Sequence, residues 1–405
     1  MAVYKIFPDK DATIYSLFPN MNTGLDEMIE STLTTFAYSQ PNPQASRFLI
    51  SFDGPQIDSI LENKMGVSSS AQLSGSGVQV NLRCFIATAT GLEISPTGTA
   101  VDVFYPSVNW SMGTGKYLDD PISTDGTSWY WSTYSGSTAW ATSGFPATPG
   151  ITASYTGSSN DRNINPYAGG GTWYYSSSLA NAWNSDFYPI TGSQTFTYST
   201  DKDINIDVTN IIGAWSAGAL ADGDGTQFYG FIVKQNPEFV NNKDYQPELK
   251  YFSVDTNTIY PPCLEFKWND WSYNTGSLSV INTTPATLSL NENPGVFFSQ
   301  SVNIFRVNAG LKYPPRTWVT SSWYTTNYAL PTASYYAVKD LDTNEFVIDF
   351  DTTYTKISCD ATGSFFTLYM DGLEPERYYK ILIQTNINGN TIVYDDNYYF
   401  KILNG

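Results

Sequence analysis

The chain has 405 residues, enough for two or three domains with cores of their own. Its 20 basic and 38 acidic residues leave a net charge of −18, a field that repels nucleic acid and anionic membrane surfaces, so a DNA-binding role is excluded. It contains no histidine, which removes Ser-His-Asp and Cys-His catalysis and His-ligated zinc or non-haem iron.

Taken in chain order, the opening Met1-Ala-Val-Tyr-Lys-Ile-Phe-Pro-Asp has no basic region followed by an apolar run. No window approaches the roughly 18 apolar residues of a membrane span. The expectation is a protein made in a cytoplasm, with no signal peptide and no spanning helix. Phe48, Ile50 and Phe52 alternate with Leu49 and Ser51, and Val78, Val80, Leu82, Cys84 and Ile86 alternate with Gln79, Asn81 and Arg83. That period of two predicts half-buried strands. Between 104 and 200 the chain is poor in charge and holds six of the eleven tryptophans: Trp110, Trp129, Trp131, Trp140, Trp173 and Trp183. Disordered segments avoid aromatics, so this stretch reads as ordered long loops and short strands. Val208, Ile211, Ile212 and Trp215 are spaced as one face of a helix, with Asp207 as its N-cap. Leu264, Phe266 and Trp268 form a strand that closes a domain, and the polar turn cluster Asn269 to Gly276 follows it. Phe366, Leu368 and Met370, then Ile381 and Ile383, belong to a second β pattern.

Chemistry is sparse. Three cysteines, Cys84, Cys263 and Cys359, do not make a disulfide framework and read as buried thiols. Gly113-Thr114-Gly115-Lys116 has part of a phosphate loop, but Trp110 stands where glycine is required and Tyr117 follows the lysine. Asp222-Gly223-Asp224-Gly225-Thr226 starts like a calcium loop, but Gln227 and Val233 replace the required glycine and glutamate. A calcium site of another kind would draw on Asp11 and Asp207, whose structural readings are turn bonding and helix capping. Without histidine, a carboxylate pair for glycoside hydrolysis is the surviving enzymatic option, and spacing in sequence does not locate one. Trp110, Trp129, Trp131 and Trp173 are the candidates for a flat aromatic surface. Such a surface would bind sugar or pack against other subunits; the alternative is that these rings fill a second, loop-built core.

The first 268 residues resemble the DNRLRE family, a jelly-roll module related to carbohydrate-binding modules. The resemblance rests on Asp9-Lys-Asp-Ala-Thr-Ile-Tyr15, Asn22-Thr-Gly24, Arg47-Phe-Leu-Ile-Ser-Phe-Asp53, Ala71-Gln-Leu73, Ile206-Asp-Val-Thr209 with Trp215, Tyr229-Gly-Phe-Ile-Val233, Ser253-Val-Asp-Thr-Asn257 and Pro261-Pro-Cys-Leu264, in that order. Leu373-Glu-Pro-Glu-Arg-Tyr-Tyr379 is similar to the "L-x-P-x-x-x-Y" signature of fibronectin type III and immunoglobulin-like domains. There Tyr379 would return its hydroxyl to the upstream backbone as a tyrosine corner. Such a module pair, with Ser253–Phe266 and Tyr335–Asp340, looks like structural proteins of tailed phages, particularly marine T4-like ones.

The expectation is therefore an all-β protein. Residues 1–268 form a jelly-roll β-sandwich with long Trp/Tyr-rich loops over 104–200 and one short helix, 269–313 connect, and 314–405 form an Ig/FnIII-like sandwich. The resemblance implies a non-enzymatic virion structural protein of the neck or collar, tail or baseplate, or head decoration. Its partners would be other virion proteins and copies of itself, with neither nucleic acid nor membrane. The alternative is a carbohydrate-binding module that attaches to host-surface glycans. No cofactor is expected beyond a structural calcium ion.

Overall fold

The computed structural model describes residues 2–34, 44–67, 73, 77–91, 98–133, 138–140, the backbone of 151–153, 170–174, 191–220, 227–236, 247–291, 293–314 and 326–404. The sequence-read features Ala71-Gln72, Trp183 and Asp222–Thr226 lie outside these. The protein is all-β and divides into two compact units: Phe7–Glu265, and Met1–Ile6 together with Phe266–Gly405. Among the described residues no helix is long and apolar enough to cross a membrane.

Strand β1 (Ala2–Ile6) belongs to the second unit. The first unit holds β2 (Lys10–Tyr15), β3 (Met28–Ser31), β4 (Leu33–Thr34), β5 (Gln44–Ser51), helix α1 (Gly54–Ser59), β6 (Val78–Cys84), β7 (Ile86–Thr90), β8 (Thr99–Pro106), β9 (Trp131–Thr133), β10 (Thr138–Ala139), β11 (Ile151–Ala153), β12 (Thr172–Tyr174), β13 (Thr191–Phe196), β14 (Ile204–Asp207), helix α2 (Thr209–Ser216), β15 (Phe231–Asn236) and β16 (Glu248–Phe252). Within β17 (Cys263–Trp268) the chain passes into the second unit.

In the first unit the main sheet runs β11–β12–β8–β15–β5–β2, with β13 also on β8 and β4 on β5; β3–β16–β7 form a second sheet. The alternation at Phe48–Phe52 predicts one wet face, but Phe48, Leu49 and Ile50 are all fully buried. Phe48 packs toward Tyr251, with ring centroids 5.9 Å apart. Leu49 joins a separate core with Ile14, Phe104, Ile232 and four tryptophans. β5 is covered on both faces, so its apolar Phe48-Leu49-Ile50 and its polar Ser46, Arg47 and Ser51 are all buried. Helix α2 forms as the spacing predicts, but its N-cap is Val208, which makes no side-chain cap bond, and Asp207 stands one residue before it. Asp207 accepts the Thr209 N–H (2.9 Å) and hydroxyl (2.6 Å), and Ile211, Ile212 and Trp215 are fully buried. Helix α1 has its own start signals: the Asp53 carboxylate accepts the Gln56 N–H, and Pro55 occupies the first turn.

The second unit continues with β18 (Ala286–Asn291), β19 (Val296–Phe298), β20 (Val302–Leu311), β21 (Ser334–Asp340), β22 (Phe346–Ile348), β23 (Ser358–Asp360), β24 (Gly363–Tyr369), β25 (Tyr378–Ile387) and β26 (Asn390–Leu403). Its sheets are β18–β20–β24–β23 and β19–β26–β25–β21–β22, antiparallel except for the β19–β26 pair. In immunoglobulin lettering this is A-B-E-D against A′-G-F-C-C′. Tyr336 stacks on Phe366 at 4.4 Å in the core, and the Tyr379 hydroxyl donates to Glu374 O at 2.9 Å, closing the tyrosine corner.

The boundaries differ from the sequence reading. Residues 269–313 are not a connector: they supply β18, β19 and β20, and Phe305 and Val307 enter the sandwich core. Thr287, Ser289 and Asn291 are exposed and alternate with buried Ala286 and Leu288 and half-buried Leu290, so the segment reads as polar. Met1–Ile6 leave the first unit because Val3 joins the second unit's core and the Tyr4 hydroxyl donates to Asp371 Oδ2 at 2.7 Å.

Candidate functional site

Three of the four tryptophans read as surface candidates are core. Trp110, Trp129 and Trp173 are buried, as is Trp140, in the loop-built cluster over the outer face of the main sheet. Indole N–H groups that leave water need acceptors. Trp110 Nε1 finds Tyr229 O at 2.8 Å, and Trp140 Nε1 finds Ser128 O at 2.8 Å. The Lys10 ammonium sits 4.5 Å over Trp110 and bonds its carbonyl. The fully buried Arg47 places its guanidinium against both Trp129 and Trp173. These faces are occupied, so their burial supports neither sugar stacking nor subunit contact through them. Trp131 alone of the four is half-buried, with Nε1 on Asn20 Oδ1 at 3.1 Å.

The two calcium candidates, Asp11 and Asp207, each hold a backbone N–H. Asp207 is engaged by Thr209 at the start of α2. Asp11 is buried; its Oδ2 accepts the Val254 N–H at 2.7 Å and its Oδ1 has no hydrogen-bond partner. Among the described residues no three acidic or cysteine side chains come together to hold a metal. Burial pushes the Asp11 carboxyl up to about 8, against the Val254 bond and with the charges of Asp255 and Asp26 adding to the rise.

A concave feature of the first unit lies elsewhere among the described residues. A pocket of about 180 Å³ is lined by Tyr15, Leu17, Phe18, Glu30, Thr32, Ala45, Ser46, Tyr117, Glu248 and Lys250. Its floor is strand-built: Lys250 on β16 lies directly opposite Glu30 on β3, and Nζ donates to Oε1 at 2.8 Å. Glu248 lies two residues along on the same face. Tyr117 forms an aromatic wall, its ring 5.0 Å from Tyr15 and 6.1 Å from Phe18, and remains 46% exposed.

Tyr117 is positioned by Asn22. That buried amide donates to Met112 O (2.6 Å) and Thr127 O (2.8 Å) and accepts from Gly24 N (3.2 Å) and Gly115 N (2.8 Å). Four bonds use its two donor hydrogens and two acceptor sites. Gly113, Gly115 and Gly126 crowd it so closely that a Cβ on any of them would lie within 2.5 Å of an Asn22 atom. The glycines of Gly113-Thr-Gly-Lys116 thus serve loop packing. From this knot Leu25 N bonds Gly115 O (2.9 Å), and Tyr117 N bonds Asp26 Oδ1 (3.0 Å).

Burial opposes the Lys250 charge, but the bond and charge of Glu30, with Glu248, hold its ammonium above the ordinary range. Burial raises the Tyr117 phenol, helped by Glu30. Burial also raises the Asp26 carboxyl to about 6, against the Tyr117 N–H bond. The pocket offers an aromatic ring, hydroxyls, two carboxylates and an ammonium: groups that bind a polar ligand with one apolar face. The sequence reading missed it because its residues lie between positions 15 and 250. The one signal, opposite charges at Glu30 and Lys250, appears only once β3 and β16 are paired.

Fold and site together define an all-β protein of two sandwich-like units with a small polar–aromatic pocket on the first. No family model, curated protein or solved structure matches the chain.

Proposed function

We propose that this chain is a non-enzymatic structural protein of a bacteriophage virion that assembles with copies of itself and with other virion proteins. The observation that carries the reading is the apolar surface of the second unit. Val296 and Phe298 on β19, the end strand of its sheet, and Val302 and Ile304 on β20 are each about half exposed. Monomers protect apolar sheet edges such as β19, and exposed apolar side chains on a sheet face such as that of β20 are used for association. The sequence resemblance to tailed-phage proteins points the same way. Light scattering and sedimentation of the full chain test this. A discrete oligomer is expected, converted to monomer by Phe298→Glu or Ile304→Glu. A monomer persisting at high concentration overturns the reading.

A second reading, capture of host-surface glycan, is favoured by the pocket at Tyr117 and Lys250. Its test is a glycan array probed with the wild type and Tyr117→Ala. Retention that Tyr117→Ala abolishes supports it, and absence of any retained glycan counts against it.

A further inference from the structure

Among the described residues, Glu30, Glu248 and Lys250 are the charged side chains lining the pocket, and together they carry one net negative charge. The Lys250 ammonium is engaged, held 2.8 Å from the Glu30 carboxylate by the strand register. Glu248 is exposed on the same face, and among the described residues the lining offers it no second cation. Asp26 stands behind the wall, bonded to the Tyr117 backbone.

On the reading that this pocket takes glycan, we propose that it selects neutral pyranose sugars and rejects acidic ones. A neutral ring lays its C–H face on Tyr117 while its hydroxyls donate to Glu248 and Glu30 and accept from Lys250. A uronic acid in the same place brings a carboxylate against two others. The single positive charge of Lys250 is already shared with Glu30, so it cannot also neutralise a third carboxylate. Selection here works by repulsion as much as by attraction. The chain's charge of −18 repels a polyanion before it arrives.

The test is isothermal titration of the full chain with neutral hexasaccharides (cello-, manno-, malto- and chito-) and with hexagalacturonate. Each is run at low and at physiological ionic strength, for the wild type, Tyr117→Ala and Glu248→Gln. At least one neutral sugar should bind and be lost in Tyr117→Ala. Hexagalacturonate should bind about tenfold or more weaker at low salt, with the gap closing as salt screens it. Glu248→Gln removes one of the two repelling carboxylates while keeping an acceptor oxygen, so it should narrow that gap by raising the hexagalacturonate affinity itself. Equal or tighter binding of hexagalacturonate, or a gap unmoved by Glu248→Gln, overturns the selection and leaves the glycan reading standing. Binding of neither class, or binding indifferent to Tyr117→Ala, overturns both.

Discussion

The guanidinium of Arg47 lies 4.8 Å from the ring centroid of Trp129 and 5.3 Å from that of Trp173, and Arg47 Nη1 donates to Gly170 O. A fully buried cation is tolerable because indole faces and a carbonyl replace its water. Arg47 thereby ties β5 to loops more than 80 residues away in sequence. It makes a tryptophan-rich stretch into core.

Arg47→Met should destabilise the first unit by about 3 kcal/mol, since it removes two cation–π contacts and leaves the Gly170 carbonyl without this donor. Arg47→Lys should recover only part, because an ammonium cannot present a planar face to both rings. Urea unfolding followed by tryptophan fluorescence measures both; a loss under about 0.5 kcal/mol for Arg47→Met would contradict the assignment.

Asp11 makes the first unit sensitive to alkali. Its carboxyl sits at about 8 in the fold, above the ordinary 3.8, so the folded state holds the proton more tightly than the unfolded one. The stability this provides is fully present below pH 3.8 and is lost as pH rises through 8. Asp11→Asn keeps the shape and an acceptor for the Val254 N–H. At pH 9 it should be more stable than the wild type by about 1 kcal/mol or more. Thermal unfolding from pH 5 to 9 checks this, and parallel curves for the two proteins would refute it.

Asn22→Asp replaces the amide that donates to Met112 O and Thr127 O with a carboxylate that cannot donate when ionised. A cost of about 3 kcal/mol is expected, with loosening of the 112–127 loop. Hydrogen exchange at the Gly115 and Tyr117 amides, both bonded in the wild type, should accelerate while exchange in β25 does not change.

Tyr379→Phe deletes the bond to Glu374 O and should cost the second unit about 1 kcal/mol. Denaturant unfolding monitored by exchange within β21 and β25 reads that unit separately. An unchanged midpoint would show the corner to be ornamental.

Local chemistry in the sequence was enough for the all-β class, for α2 and for the tyrosine corner. Apolar periodicity, the Asp207–Thr209 bonds just ahead of the helix, and the spacing from Leu373 to Tyr379 all act within one or two turns of chain. Tertiary structure decided the rest. Which way Trp110, Trp129 and Trp173 face depends on a second layer covering β5 and on a buried Arg47, neither of which has a local signature. Membership of Val3 in the second unit's core, and the strands hidden in 269–313, follow from pairings across tens to hundreds of residues. The pocket exists only because β3 meets β16 in one register, since a shift by one residue would turn Glu30 and Lys250 to opposite faces. Side-chain periodicity is a property of a strand alone, but register and burial belong to the pair of elements that meet.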